Sequence, residues 1–193
     1  MLGLKFPTNL EWIDIVNDNI EQILIDHAFC EQKAASTAIS LIVKFPEYKD
    51  LVVEMIDLAI EEMGHFKLVL KELNKRNYTL GKERKDIYVN KLHKFFYNPK
   101  TKNEKLINKL LIAALIEARS CERFKLISEN INDTDLRIFY HQLMISEAKH
   151  YTLFLNLARK YGDRKDVDRK WNSLLDYESS IIKSFGKKYH IHG

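Results

Sequence analysis

The sequence predicts an all-α fold, and three observations carry that prediction. Only 6 Gly and 3 Pro occur in 193 residues, so turn chemistry is scarce and long helices have room. Apolar residues recur at three- and four-residue intervals over long stretches, and no segment sustains the two-residue alternation of a half-buried strand. The few Pro and Gly that do occur fall where they divide the chain into long segments. A chain of this length suits one domain with a sizeable core. Residues 1–193 are expected to form a single domain, with a core bundle over about 9–161 and a C-terminal helix and basic tail over about 164–193.

The elements follow in order. A first helix is expected from about Asn9 to Phe45, with a break near Asn17–Asn19. Pro46 stops it and is suited to start the next, because Pro is tolerated in a first turn. The second helix runs from about Glu47 to Arg76. A long connection from Asn77 to Lys100 follows, with room for a short helix around Asp86–Phe96. Pro99 marks the boundary of a third helix, about Thr101 to Glu129, and the short link SENINDTD leads into a fourth, about Asp133 to Tyr161, that Gly162 ends. A fifth runs from about Arg164 to Phe185 and stops at Gly186. Two tight helical hairpins joined by a long crossover is a known connectivity of four-helix bundles.

The formal net charge is +4, which permits an anionic partner without demanding one. Two cysteines, Cys30 and Cys121, do not make a secreted disulfide framework. The opening MLGLKFPTNLEW lacks the layout of a signal peptide. No apolar run reaches the roughly 18–20 uncharged residues of a membrane span. A soluble, cytoplasmic protein with no membrane partner is expected.

The two hairpins repeat one another. Glu31 is followed 31 residues later by Glu62, with His65 three residues on; Glu117 is followed 30 residues later by Glu147, with His150 three residues on. The local words match as well, EQKAAS against EARSCE and EMGH against EAKH. On a helix, positions i and i+3 share a face one turn apart, so each E-x-x-H can aim a carboxylate and an imidazole at one point. Two such motifs plus one glutamate from each of two other helices make four carboxylates and two imidazoles. That is the ligand set of a ferritin-like di-iron or di-manganese centre inside a bundle.

Two further tests agree. Glu31 and Glu62 stand about 15 and 16 residues from the Pro46 turn, and Glu117 and Glu147 each about 15 from a turn near Asn132. At a rise of about 1.5 Å per residue each pair lies at one height, whereas Glu122 would fall roughly 7 Å too close to its turn. Each candidate also interrupts an apolar stripe: Leu24, Ala28, Glu31, Ala35, Ala38; Leu58, Glu62, His65, Val69, Leu73; Leu110, Ala113, Glu117, Cys121, Phe124; and Leu143, Glu147, His150, Phe154, Leu157. A buried carboxylate without a partner is costly to keep ionised, and a metal supplies the partner. A single E-x-x-H is common on solvated helices; two, each preceded at the same interval by an inward glutamate, are not.

Nearby residues have blander readings. Glu61 lies off its stripe and is expected at the surface. His27, one turn before Glu31, can reach that glutamate from behind, but a core or surface histidine is the commoner case. Cys30 and Cys121 are expected as small buried apolar groups rather than ligands. Tyr140 is expected in the core. Arg119 and Glu122, spaced i, i+3, are expected to pair with each other at the surface.

At EARSCERF, FYHQLMISEAKHY and EQKAAS the chain resembles the MiaE family, the tRNA-(2-methylthio-N6-isopentenyl-adenosine) hydroxylases, over nearly its whole length. The resemblance implies a non-haem di-iron monooxygenase. It would hydroxylate the isopentenyl group of 2-methylthio-N6-isopentenyladenosine-37 in tRNA with O2, drawing electrons from an external donor protein or reductase. Carried over by motif, the metal ligands, catalytic through the metals, are Glu31, Glu62, His65, Glu117, Glu147 and His150. Iron is expected over manganese, although the oxygen-rich donor set suits both. The partner would be a tRNA anticodon stem-loop. Basic candidates to meet it are Lys82, Arg84 and Lys85 of the KERK stretch, Lys187 and Lys188 in the tail, and Lys91, Lys94, Lys100, Lys102 and Lys105 in and beside the crossover. Monomer and dimer both stay open. The pattern alone also allows ferritin-like iron storage or detoxification, another di-metal carboxylate oxidase, or a basic helical RNA-binding protein with a vestigial site.

Overall fold

The computed structural model describes residues 2–83, 86–185 and 191. Among them are seven helices and no strand: α1 Trp12–Asp18, α2 Ile20–Lys44, α3 Lys49–Lys75, α4 Ile87–His93, α5 Lys102–Asn130, α6 Thr134–Tyr161 and α7 Arg164–Phe185. The expected break in the first helix is real and falls at Asn19. The crossover helix is present and short. The two hairpins are α2–α3 and α5–α6.

Local chemistry explains most of the ends. Thr101 caps α5 by accepting from the Glu104 N–H at 3.0 Å, while the Glu104 carboxylate accepts from the Lys100 N–H at 2.8 Å. Asp133 caps α6 through the Leu136 N–H, and Asp86 caps α4 through the Val89 N–H. α3 closes with Asn77 in the left-handed region, φ 57°, where the Tyr78 N–H reaches the Leu73 carbonyl and the Asn77 N–H that of Asn74. Pro46 departs from expectation. It sits in a turn closed by the Tyr48 N–H on the Phe45 carbonyl, and α3 begins only at Lys49. Gly162 ends α6 as expected, but not through a left-handed turn. Its φ is −122°, and an added Cβ would stand 2.7 Å from Val167 Cγ2 and 2.8 Å from Ile107 Cδ1. The glycine is needed there for close approach.

The helices fall into two compact units. One spans 19–85 and contains the α2–α3 hairpin; the other spans 1–18 and 86–193 and contains α1 and α4 to α7. In the first, α2 packs on α3 along the faces that the stripes predict: Leu24, Ala28, Ala35 and Ala38 on one helix and Leu58, Val69 and Leu73 on the other are buried. In the second, α5 is the axis. It packs against α6 and also against α1, α4 and α7, and its buried residues include Leu110, Leu111, Ala113, Ala114, Leu115, Ala118, Cys121 and Phe124. No helix among the described residues is long and apolar enough to cross a membrane.

Candidate metal centre

Each hairpin assembles half of the expected donor set. In the α2–α3 hairpin, Glu31, Glu62 and His65 are buried, and one ligand atom from each lies within 4.8 Å of the others. His65 Nδ1 stands 3.1 Å from Glu62 Oε2 and 3.6 Å from Glu31 Oε2. In the α5–α6 hairpin, Glu117, Glu147 and His150 are buried and likewise offer atoms within 4.8 Å of one another. There His150 Nδ1 is 4.0 Å from Glu147 Oε1. The i, i+3 spacing puts carboxylate and imidazole on one face, and the matched distance from each turn sets the partner glutamate at their height. All four apolar stripes that carry these residues are buried throughout.

The electrostatics of the first triad fit a cation site. Burial pushes the Glu31 carboxyl up, the hydrogen bond with His65 pulls it back, the charge of Glu62 pushes again, and the group settles at about 8 instead of 4.5. Burial pulls the His65 imidazole down, but hydrogen bonds to Glu31 and Glu62, and their charges, outweigh it and lift the group from 6.5 to about 10. Without a metal, the triad holds on to protons that offset its negative charge. A divalent cation does the same job better, because oxygen- and nitrogen-rich donors that must shed protons to bind are what a hard or borderline ion requires. The donor chemistry of this triad therefore fits a divalent first-row cation, and the second triad offers the same donor types.

His27 is fully buried, and its Nε2 lies 2.6 Å from Glu31 Oε1. Such a contact is a less common case for a helical histidine than a plain core or surface position. The i, i+4 spacing was the available signal; burial decides it. Glu61 is half-exposed, as expected off the stripe, with its carboxylate 3.9 Å from His65 Nε2. Tyr140 is a core residue, with Phe124 and Phe139 at 5.2 and 5.3 Å between ring centres. Cys121 is buried, donates to the Met144 carbonyl and has its thiol pushed up to about 11, chiefly by burial. Cys30 is only half-buried, so the expectation of a buried group fails there; neither cysteine is in a disulfide.

The expectation for Arg119 and Glu122 needs correction. They do pair, at 3.0 Å, but not at the surface: Arg119 is 0 % exposed. Its guanidinium donates to Glu178 Oε1 from Nε and Nη2, to the Phe6 carbonyl and to Thr8 Oγ1. Glu122 accepts from both the N–H and the hydroxyl of Thr8, each at 2.7 Å. Tyr88 donates to the same Glu178 oxygen, and Arg123 lies 4.7 Å over the Trp12 ring. This buried network ties the N-terminal segment, α4 and α7 to α5. No helical periodicity could announce it, because the partners sit far away in the chain.

Of the basic residues expected to face RNA, Lys82, Lys94, Lys100, Lys102 and Lys105 are exposed, while Lys91 is half-buried and donates to Ser184. Arg84, Lys85, Lys187 and Lys188 lie outside the described residues.

The family model described as tRNA-(MS[2]IO[6]A)-hydroxylase (MiaE) matches residues 2–193. A tRNA 2-(methylsulfanyl)-N(6)-isopentenyladenosine(37) hydroxylase from Pseudomonas putida (strain KT2440) is 38% identical over 191 residues, covering 98% of this chain and 91% of that protein. Its counterpart from Salmonella typhimurium (strain LT2) is 28% identical over 98% of this chain and 87% of its own length. Among solved structures, a protein from Synechococcus described as having aldehyde deformylating oxygenase activity superposes with a TM-score of 0.92 at 30% identity, covering 98% of this chain and 95% of that one. The all-α, ferritin-like fold expected from the paired hairpins is therefore the fold of this protein. With the repeated E…E-x-x-H pattern buried in both hairpins and a match from residue 2 to residue 193, the chain belongs to the MiaE family.

Proposed function

We propose that this protein hydroxylates the isopentenyl group of 2-methylthio-N6-isopentenyladenosine-37 in tRNA, with O2 and an external electron donor, at a di-iron centre held by Glu31, Glu62, His65, Glu117, Glu147 and His150. The observation that carries the reading is the duplicated triad: all six side chains are buried, and each triad brings its donor atoms within 4.8 Å. Family membership supplies the substrate class.

The chemistry asks for such a site. Side chains alone do not oxidise an unactivated carbon; a reduced di-iron pair, when bound, supplies the activation of O2 that does. What the chain's own residues contribute is legible. The four carboxylates and two imidazoles neutralise and orient the ions. The apolar positions above and below each triad keep water out and suit an apolar prenyl group. Glu31 and His65 hold protons in the metal-free protein and must release them for metal to bind. Exposed lysines such as Lys82, with Arg84, Lys85, Lys187 and Lys188, provide cations for an RNA backbone, and the base is expected to leave its stack to reach a buried centre. A tRNA substrate supports a cytoplasmic location.

Nucleoside analysis of tRNA from cells lacking the gene tests the reading. Loss of the hydroxylated isopentenyl nucleoside, restored by the wild-type gene and not by a Glu117→Ala copy, is expected. Its persistence in the deletion strain would sink the assignment. The likeness to the Synechococcus protein favours a second reading, oxidation of an aldehyde. Purified, iron-loaded protein given reductant, O2 and a medium-chain aldehyde should release no formate while it hydroxylates tRNA. Formate without tRNA hydroxylation would put the second reading first.

A further inference from the structure

The repeat that makes the two triads alike breaks at a buried position beside the first of them. One turn before Glu31 in α2 stands His27. The matching place before Glu117 in α5 is Ala113, also buried, whose methyl has nothing to donate. His27 Nε2 lies 2.6 Å from Glu31 Oε1. The other oxygen, Oε2, is the one that faces His65 Nδ1, at 3.6 Å.

We infer that His27 is a positioning residue for the metal centre: it holds Oε1 of Glu31 and leaves Oε2 for the ion, which sets the affinity of one of the two metals. The inference rests on the di-metal reading. A carboxylate bound to a cation is ionised and only accepts hydrogen bonds, so in the loaded protein Nε2 carries the hydrogen and donates. A glutamate has several rotamers, and one oxygen held from behind fixes both the rotamer and the plane of the carboxylate before the ion arrives. Groups that hydrogen-bond a ligand in this way typically contribute about 10–100-fold in metal affinity. The contact is made to Glu31, and the matching Ala113 cannot make it to Glu117, so the effect of His27 falls on the ion that Glu31 holds.

The experiment is an anaerobic titration of the full-length, metal-free protein with Co(II). The visible Co(II) bands report each binding step, and dialysis followed by elemental analysis counts the ions. His27→Phe keeps the ring volume and removes the donor. His27→Gln keeps a donor at similar reach. Thermal melts of the metal-free variants show whether each folds. Wild-type protein is expected to bind two ions. In His27→Phe one step weakens about 10–100-fold with altered bands while the other is unchanged, and His27→Gln recovers most of the loss. The inference is overturned if His27→Phe binds both ions as tightly as wild type. It is equally overturned if His27→Gln loses as much as His27→Phe, which would make the effect one of packing. Should the ring substitution prevent folding, the Gln variant and a His27→Leu variant make the same comparison. Wild-type protein that takes up no ion would instead remove the metal-centre reading beneath it.

Discussion

α2 and α5 carry nearly the same word in mid-helix, EQKAAS and EARSCE, and put its third residue to opposite uses. Lys33, two residues after Glu31, reaches out to Glu83 at 3.0 Å with its side chain 34 % exposed. Arg119, two residues after Glu117, is wholly buried on Glu178. The difference lies in what each helix carries on its back. Within its unit α2 packs on α3, whereas α5 is covered by α6 on one side and by α1, α4 and α7 elsewhere. A cation on the far side of α2 meets water. The same position on α5 meets the N-terminal segment and α7, so it must be a fork-shaped donor with several acceptors. The triad-bearing sides of the two hairpins repeat, and the other sides diverge.

The largest expected effect tests that division within one helix. Glu117→Ala should remove a metal ligand and abolish tRNA hydroxylation, a loss greater than the ~100-fold typical of groups that only support a ligand. Glu122→Ala, five residues on, should keep two ions per chain. It should instead lower stability by about 1–3 kcal/mol, because the Thr8 N–H and hydroxyl and the Arg119 guanidinium lose an acceptor. Elemental analysis and urea unfolding separate the two outcomes. An Glu122→Ala protein that lost metal would show that the two faces are not independent.

Next in size is Arg119→Met. Glu178 would be left fully buried, with Tyr88 still donating to it, and breaking a buried pair from one side costs about 3–5 kcal/mol. The Arg119→Met, Glu178→Leu double variant should recover much of this, because no lone charge remains. Recovery absent in the double variant would mean that the contacts of Arg119 with Phe6 and Thr8, rather than with Glu178, hold the network.

These contrasts also mark what was legible in the chain. The helices, the break at Asn19, the short crossover helix and the inward faces all follow from 3.6-residue periodicity and from Pro and Gly placement, which are local signals. Glu117 was separable from Glu122 for the same reason. Arg119 was not placed correctly because its burial depends on Phe6, Thr8 and Glu178, brought in from both ends of the chain. His27 was ambiguous because spacing shows that it can reach Glu31 and cannot show that it is cut off from water. Gly162 marked its helix end correctly, but its cause is side-chain crowding from Val167 and Ile107, which no turn rule contains.

The first triad should also give metal-free protein a characteristic pH dependence. Glu31 is raised from 4.5 to about 8 and His65 from 6.5 to about 10. A raised value means that the folded chain holds the proton more tightly than the unfolded chain does. The resulting stability is complete below 4.5 for Glu31 and below 6.5 for His65, and is lost as pH rises through 8 and then 10. The melting temperature of metal-free protein should therefore fall from pH 5 to pH 9, and Glu31→Gln should flatten the lower part of that slope. Metal should reverse the trend, since its ligands bind deprotonated. A metal-free melting temperature that climbed over this range would show that the triad does not retain its protons.

The smallest expected effect is the counterpart of the Arg119 experiment. Lys33→Ala removes an ion pair whose partner, Glu83, is more than half exposed, and such pairs contribute about 0–1 kcal/mol. The lysine keeps most of its hydration either way, and its loss strands no buried charge. The change should shrink further in high salt, which screens exposed pairs and leaves buried ones nearly untouched. Run side by side in low and high salt, Lys33→Ala and Arg119→Met therefore measure how differently two matched positions of one repeat are built. A Lys33→Ala loss approaching that of Arg119→Met, and insensitive to salt, would mean that the outer face of α2 is covered in solution by something the chain's own hairpin does not supply.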